Sequence, residues 1–212
     1  GPVRSARPYY VDWIREYGDI VYAHVGGSPA ALDYIKQVGI NDLDEFARGW
    51  YYWRSEDRSA PHNAYTSSDL WSKALVDYED NYQDKDYKAW NYEEAQACDK
   101  IKKEENTSTS TKDSVEDNCI KEIEITFAYP GYRATWEYNT STEKYDRYQS
   151  GSLHQDADGD LIQADTIVVQ HVNTKVLDAK GRLGMETIGS GKAEIYMKGQ
   201  KIEGSWEKED ET

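Results

Sequence analysis

The sequence predicts an α+β protein: an N-terminal α/β part with a small mixed or parallel sheet and about three helices, followed by a C-terminal antiparallel β unit. Two observations carry this prediction. Helical and strand-like patterns alternate over residues 1–90, whereas apolar and polar residues alternate with a period of two over residues 120–212. The intervening residues 91–119 are acidic, polar and only weakly periodic, which predicts a linker or a surface insertion.

Each of the three predicted helices follows a polar turn. Pro8 suits the first turn of a helix that Gly18 ends. Ser28 and Pro29 are a favourable N-cap and first residue for the second helix. Residues 66–69 carry the capping pattern of the third helix.

The turns of the α/β part are predicted to meet at one edge of its sheet. A largely buried strand over residues 19–25 leads into the glycine turn and the second helix. Residues 1–7 are predicted to form the same kind of turn, after a strand that precedes Gly1. An aromatic strand at residues 50–53 leads into a third polar stretch. In a parallel sheet such turns lie at the carboxyl ends of the strands, where open α/β sheets bind ligands.

The β unit is predicted from its alternation and from the short turns between its strands. The predicted strands cover residues 122–127, 132–138, 145–148, 167–172, 193–198 and 201–206. Residues 156–160 resemble a calcium loop but have glycine fourth and isoleucine twelfth, where an EF-hand has glycine sixth and glutamate twelfth. We therefore predict a tight acidic turn there and no metal site. The lack of a Walker or G-x-G-x-x-G motif predicts no nucleotide cofactor.

The charge distribution separates the arginines from the rest of the charged residues. The net charge of −15 argues against a nucleic-acid partner, because phosphate backbones are bound by basic faces. Six of the nine arginines nevertheless lie in the first 58 residues. Arginine is preferred where carboxylate or phosphate is recognised by a planar, bidentate contact. The N-terminal arginines are therefore predicted to serve a local site.

The predicted ligand-binding residues follow the polar turns. They are Arg4, Ser5, Arg7, Ser28, Arg54, Arg58, His62 and Asn63. In the functional interpretation they clamp a phosphate or carboxylate group. In the structural interpretation the arginines pair with local carboxylates and hold the turns in place.

Three residues are candidates for catalysis. His62 and His24 could each act as a general base or a proton donor near neutral pH. Ser5 would be a nucleophile only with an adjacent base. The structural alternative for His24 is a core histidine bonded to a backbone carbonyl, and for His62 a residue that satisfies a turn.

Two cysteines, Cys98 and Cys119, bracket a low-complexity segment. A disulfide that closes this loop would add roughly 3 kcal/mol and would indicate an oxidising, extracytoplasmic location. The alternative is two unrelated thiols.

The order of the motifs resembles that of the YerB-like family of predicted bacterial lipoproteins. The resemblance is carried by residues 1–7, 24–28, 58–65, 132–148, 176–182 and 189–193. It implies a protein of unknown function on the outer face of a cell membrane, anchored by a lipidated cysteine. The sequence lacks that cysteine and the family's terminal segments, so we expect a fragment that contacts a membrane only through an anchor absent here.

Two functional hypotheses follow. The first is an extracytoplasmic cell-envelope protein that binds an anionic envelope ligand or an envelope protein through the arginine, serine and histidine turns. The second is a hydrolase or transferase acting on envelope material, with a histidine base and arginines that stabilise developing negative charge. The sequence leaves open whether any reaction is catalysed.

Overall fold

The computed structural model describes residues 1–18, 20–78, 90–91, 93, 95–98, 120–127 and 130–209. The chain divides into two compact units. Unit 1 comprises Gly1–Asn91 and Asn173–Ile188, and unit 2 comprises Tyr92–Val172 and Gly189–Thr212. Unit 1 holds three helices and a small parallel sheet, whereas unit 2 is antiparallel. The predicted α+β class is confirmed.

The helices and strands are numbered in chain order. The helices are α1 (Pro8–Ile14), α2 (Pro29–Val38) and α3 (Ser68–Asp77), with 3₁₀ turns at Arg15–Tyr17, Gly49–Tyr51 and Pro130–Tyr132. The strands of the N-terminal half are β1 (Val21–His24), β2 (Asn41–Asp44), β3 (Trp53–Arg54) and β4 (Ala64–Tyr65). The strands that follow are β5 (Glu122–Thr126), β6 (Arg133–Asn139), β7 (Lys144–Gln149), β8 (Ser152–Leu153), β9 (Gln163–Ala164), β10 (Thr166–Gln170), β11 (Thr174–Val176), β12 (Leu183–Met185), β13 (Gly189–Met197) and β14 (Gln200–Lys208).

The helix boundaries of unit 1 follow its capping residues. The Ser28 hydroxyl accepts a hydrogen bond from the Ala31 amide at 3.2 Å, and Pro29 begins α2 as predicted. Gly39 ends this helix with φ +69°. The Ser67 hydroxyl caps α3 in the same way.

Residues 3–6 form an extended segment that pairs with the residues directly after β1, so the prediction of a turn at residues 1–7 is wrong. β1 and β2 are parallel neighbours. Directly after β1, the Val25 amide donates to the Arg4 carbonyl at 3.1 Å and the Ala6 amide donates to the Gly26 carbonyl at 2.9 Å. The segment is paired because its backbone is partly buried, and a buried amide or carbonyl requires a partner.

This N-terminal segment also joins the two apolar cores of unit 1. The Val3 amide donates to the Ala64 carbonyl at 2.8 Å, which connects the segment to β4. Val3 packs against the core that includes Leu43 and Ala74, whereas the buried Ala6 belongs to the core that contains residues of α1 and α2. The first core is covered by α3, so helices lie on both faces of the strands.

A hairpin from the C-terminal half of the sequence belongs to unit 1. β11 and β12 pair within residues 173–188, whereas the sequence predicts these residues to belong to the β unit. The Thr187 hydroxyl donates to one oxygen of the buried Asp12 carboxylate at 2.6 Å, and the Tyr34 hydroxyl donates to the other at 2.8 Å. A buried carboxylate needs such donors, so these contacts hold the hairpin against α1. The predicted linker, residues 91–119, lies mostly outside the described residues.

Unit 2 contains two antiparallel sheets, as the alternation predicted. One sheet has the order β5-β6-β7-β8, with β9 also pairing with β7, and the other has the order β10-β13-β14. Ile123 and Tyr145 from the first sheet form one core with Ile167 and Tyr196 from the second. Cys98 is disulfide-bonded. Cys119, the other half of the predicted pair, lies outside the described residues.

Candidate functional site

The three polar stretches singled out in the sequence meet at one edge of unit 1, which we call the turn edge. It consists of residues 3–6, the β1–α2 turn at residues 26–28 and the β3–β4 loop at residues 55–63. The backbone hydrogen bonds to Val25, Gly26 and Ala64 hold the first stretch between the other two. All eight predicted ligand-binding residues lie in or directly beside these stretches, although four of their side chains have structural roles.

His24 is fully buried at the end of β1. Its Nδ1 lies 2.9 Å from the Gly26 carbonyl oxygen and its Nε2 lies 3.3 Å from Asp42 Oδ2. Burial opposes the charged imidazole, but the hydrogen bonds to Asp42 and Gly26 and the nearby Asp44 outweigh it and raise the pKa of His24. Its hydrogen bond to His24 in turn lowers the pKa of Asp42. Both ring nitrogens are occupied, so His24 matches its structural interpretation.

Asp44 fixes the conformation of the glycine turn. Its Oδ1 accepts hydrogen bonds from the Gly26 amide at 2.7 Å and from the Phe46 amide at 3.2 Å. Gly26 has φ +55°, and a Cβ at this position would lie 2.7 Å from the Phe46 ring. Sequence reasoning missed this role of Asp44, although the alternation of Asp42 and Asp44 around the buried Leu43 is the signal that could have indicated it.

Ser28 and Arg7 also have local partners. The Ser28 hydroxyl is buried and caps α2. The Arg7 guanidinium donates to the Ala6 carbonyl at 2.7 Å, and α1 has no side-chain cap.

Arg54 and Asn63 form a network across the base of the β3–β4 loop. Arg54 Nε donates to Glu45 at 2.9 Å, and a terminal nitrogen donates to Asn63 Oδ1 at 2.9 Å. The Asn63 amide group donates to the Ser55 carbonyl at 3.1 Å. The network holds the two ends of the loop together.

The remaining predicted residues are more accessible. Arg4, Arg58 and His62 are exposed, and their side chains make no hydrogen bond or ion pair with any described residue. Ser5 is half-buried, and within the described chain its hydroxyl makes no hydrogen bond with a histidine. The serine–histidine pair that nucleophilic catalysis requires is therefore not formed among the described residues.

Unit 1 also has an apolar cleft of about 310 Å³. It is lined by Ile20, Val21, Ala23, Leu43, Trp71 and Leu75. None of these side chains titrates. The cleft is therefore mainly apolar and offers no acid–base group.

The acidic loop at residues 156–160 is a turn stabilised by its own aspartate. Asp156 Oδ1 accepts hydrogen bonds from the Asp158 amide at 2.9 Å and the Asp160 amide at 3.0 Å. Among the residues with described positions, no three His, Cys, Asp or Glu side chains are grouped as metal ligands. None of the described helices has both the length and the hydrophobicity of a membrane span.

Two sequence models of one family of unknown function match the chain. The N-terminal domain of DUF3048 matches residues 1–82, and its C-terminal domain matches residues 123–212. The chain belongs to the DUF3048 family. This result confirms the resemblance that the motif order indicated.

A relative and a solved structure agree with this assignment. The chain is 27% identical over 213 residues to "Putative lipoprotein YerB" of Bacillus subtilis (strain 168), covering 97% of this chain and 58% of that protein. The crystal structure of YerB protein from Bacillus subtilis has the same fold, with a TM-score of 0.74 at 21% identity over 98% of this chain and 64% of that chain. The DUF3048 member described here thus spans less than two thirds of either protein.

Proposed function

We propose that this DUF3048 protein is an extracytoplasmic binding protein that recognises an anionic cell-envelope ligand at the turn edge. The name of the Bacillus relative supports a lipoprotein, and therefore an extracytoplasmic location with a lipid anchor in the full-length protein. The exposed arginines Arg4 and Arg58 at the turn edge support a negatively charged ligand. The binding activity belongs to unit 1 in this proposal.

The distribution of partners at the turn edge is the observation that carries the proposal. Three carboxylates beside the turn edge have internal donors: Asp42 is bound to His24, Asp44 to the Gly26 amide and Glu45 to Arg54. Within the β3–β4 loop, Asp57 accepts a hydrogen bond from the Ser55 hydroxyl, and the exposed Glu56 has no described donor. Arg4 and Arg58 have no such partner among the described side chains, although the chain has a net charge of −15. Two guanidiniums without a partner in the described part of an acidic protein favour an external anion.

The backbone brings these cations to the same edge. Arg4 follows Val3, whose amide is bonded to Ala64, and His62 lies two residues before Ala64. Arg58 lies in the same loop as His62. The loop position suits a ligand contact, because loops held by a rigid scaffold commonly carry binding residues.

The chemistry of the edge favours an anionic glycan. A guanidinium contacts carboxylate or phosphate in a bidentate geometry. Trp53, on the neighbouring strand, is partly exposed and stacks on Tyr65 with a ring separation of 5.9 Å. An amphipathic aromatic side chain of this kind can cover the face of a sugar ring.

Isothermal titration calorimetry tests the proposal with inorganic phosphate, a polyol-phosphate oligomer and a glucuronate-containing oligosaccharide, and with a neutral glucan as the uncharged comparison. We expect at least one anion to bind and the neutral glucan not to bind. Arg4→Ala and Arg58→Ala should each weaken binding by about 10–100-fold, the value of one hydrogen bond to a charged group.

Arg133→Ala is the matched control, because Arg133 is an exposed arginine in unit 2. It should leave the affinity unchanged. Equal losses in all three variants would reveal a general charge effect and contradict the site. Absence of binding by every anion would contradict the function itself.

A further inference from the structure

We infer that Arg147 and His154 of unit 2 form a binding site for a carboxylate group. The Arg147 guanidinium pairs with the carboxylate, and the His154 ring adds one hydrogen bond. Arg147 lies on β7, and His154 directly follows β8. The inference concerns residues of unit 2 and does not depend on the ligand proposed for the turn edge of unit 1.

Arg147 is the only charged residue on its face of the strands β5–β9. Side chains that lie directly opposite one another, or two residues apart along a strand, share a face of a sheet. By the register of these strands, the acidic residues Glu122, Glu124, Glu137 and Asp146 all lie on the other face. The face of Arg147 otherwise carries uncharged residues: Ile123, Ile125, Ala134, Trp136, Tyr138, Tyr145, Gln149, Ser152 and Ala164.

The strand of Arg147 is internal to its sheet. β7 pairs with β6 on one side and with β8 and β9 on the other, so described strands fix the position of this residue. The second sheet of unit 2 carries the carboxylate of Glu194 beside the shared core. That carboxylate already accepts a hydrogen bond from the Tyr196 hydroxyl at 2.8 Å and lies 3.0 Å from the Lys201 ammonium. It forms no ion pair with Arg147.

Uncharged groups hold the half-buried Arg147 guanidinium in place. One terminal nitrogen donates to Nδ1 of His154, and the other donates to Gln149 Oε1 at 2.9 Å. The guanidinium also lies 5.7 Å from the centre of the Trp136 ring. Gln149 is fixed in turn, because its Nε2 donates to the Gly131 carbonyl at 3.1 Å. These contacts orient the cation but bring no negative charge, and a half-buried charge is stabilised chiefly by a counter-charge.

The group retains hydrogen-bond donors for a ligand. Arginine can only donate, so Nδ1 of His154 is the acceptor and the proton of this ring lies on Nε2. Nε2 has no described partner, and a guanidinium has more N–H groups than two contacts use. The exposed Ser152 lies on the same face, opposite Gln149. A guanidinium can bind a carboxylate through two parallel hydrogen bonds, so these donors suit that group.

The charge of the site favours a carboxylate over a phosphate monoester. One half-buried cation balances one negative charge. A carboxylate carries one such charge, whereas a phosphate monoester carries about 1.5–2 near pH 7. Trp136 and Ile125 share the face of Arg147 and are partly buried in the core of unit 2. The ligand class is therefore a carboxylate attached to a small apolar group.

Nuclear magnetic resonance titration of the isotope-labelled 212-residue chain tests the site. The probes are N-acetylalanine and butyrate, which carry the carboxylate on a peptide-like and an aliphatic group, and N-acetylalanine amide, which lacks the charge. The Nε–H signal of Arg147 should shift with at least one acid, with a dissociation constant of about 1 mM, and should not shift with the amide. The acid that binds more tightly identifies the group that carries the carboxylate. Absence of a shift with both acids up to about 20 mM, or an equal shift with the amide, would overturn the inference.

Variants of the arginines test which cation binds. Arg147→Gln removes the charge and should weaken binding about tenfold or more. Arg147→Lys keeps the charge but cannot make two parallel hydrogen bonds, so it should also weaken binding. Arg133→Gln is the matched control, because Arg133 is an exposed arginine on the other face of the same sheet, and the affinity should not change. Unchanged affinity in Arg147→Gln, or an equal loss in Arg133→Gln, would contradict the site.

His154→Phe decides the question if neither variant of Arg147 folds. It keeps the guanidinium and removes one donor, so binding should weaken about 3–10-fold, and an unchanged affinity would contradict the role of His154. Dimethyl phosphate, which carries one negative charge on a phosphodiester, tests the ligand class. Tighter binding of this probe than of either acid would contradict the assignment to a carboxylate.

Discussion

Raising the pH should destabilise unit 1 through His24. Its two ring nitrogens both face oxygen acceptors, so the doubly protonated imidazole satisfies both contacts and the neutral ring satisfies one. The pKa of His24 is raised in the folded protein above the ordinary value of 6.5. The stabilising effect is therefore complete below that ordinary value and is lost as the pH rises through the folded value. For Asp42, whose pKa is lowered below 3.8, the effect is lost as the pH falls through its folded value.

The size of the effect follows from the hydrogen bonds involved. A hydrogen bond to a charged group contributes about 1.5–3 kcal/mol, and loss of the proton removes one such bond and weakens another. Solvent reduces this contribution, because the side chain of Asp42 is 40% exposed. We expect a loss of about 1–2 kcal/mol in the free energy of unfolding.

Urea unfolding of unit 1, followed from pH 5 to pH 9, measures this loss. His24→Gln should remove the pH-dependent part of the free energy of unfolding. His62→Gln should leave it unchanged, because His62 is exposed and has no described partner. Asp42→Asn should reduce the component, because the charged acceptor is replaced by a neutral one. A wild-type protein whose pH profile matched that of His24→Gln would refute the reasoning.

Three substitutions test other parts of unit 1 by thermal or urea unfolding. Gly26→Ala should lower the free energy of unfolding by about 2–3 kcal/mol, because φ at this position is +55° and the new Cβ would meet the Phe46 ring. Gly39→Ala is the control: φ is +69°, but the new Cβ meets no atom, so the loss should be only about 1 kcal/mol. Ser28→Ala should cost about 1 kcal/mol through loss of the α2 cap, and no change would contradict the capping role. Thr187→Val should cost about 1–3 kcal/mol, because it removes a donor from a buried carboxylate of α1, and a neutral result would show that the β11–β12 hairpin is held by other contacts.

The regular parts of the fold could be predicted because local signals agree with the packing. The period-two alternation located the long strands of unit 2, and the pair Ser28–Pro29 located the start of α2. β2 was missed because its buried face consists of a single leucine between two aspartates, which resembles a polar loop. The pairing of residues 3–6 was missed for a different reason: it depends on partners far along the chain, and no local pattern reports them.

The sequence predicted that the three polar stretches lie together, whereas their role in binding stays a prediction. The motifs indicated that residues 1–7, 24–28 and 58–65 belong together, and backbone hydrogen bonds do connect them. Which arginine is paired cannot be derived from the sequence. Arg54 is neutralised by Glu45, nine residues away, and Arg4 has no described partner, although both are arginines beside polar turns.

The placement of residues 173–188 has a consequence for how this architecture can change during evolution. The chain leaves the sheet of unit 2 after β10, supplies a hairpin to unit 1 and returns as β13. A gene truncated after the N-terminal family domain would encode α1 without the donor that Thr187 gives to Asp12. If the C-terminal half were exchanged with that of another protein, the β11–β12 hairpin would have to pack against an N-terminal half with which it did not evolve. We therefore expect the two halves to be inherited together, although each has its own family domain.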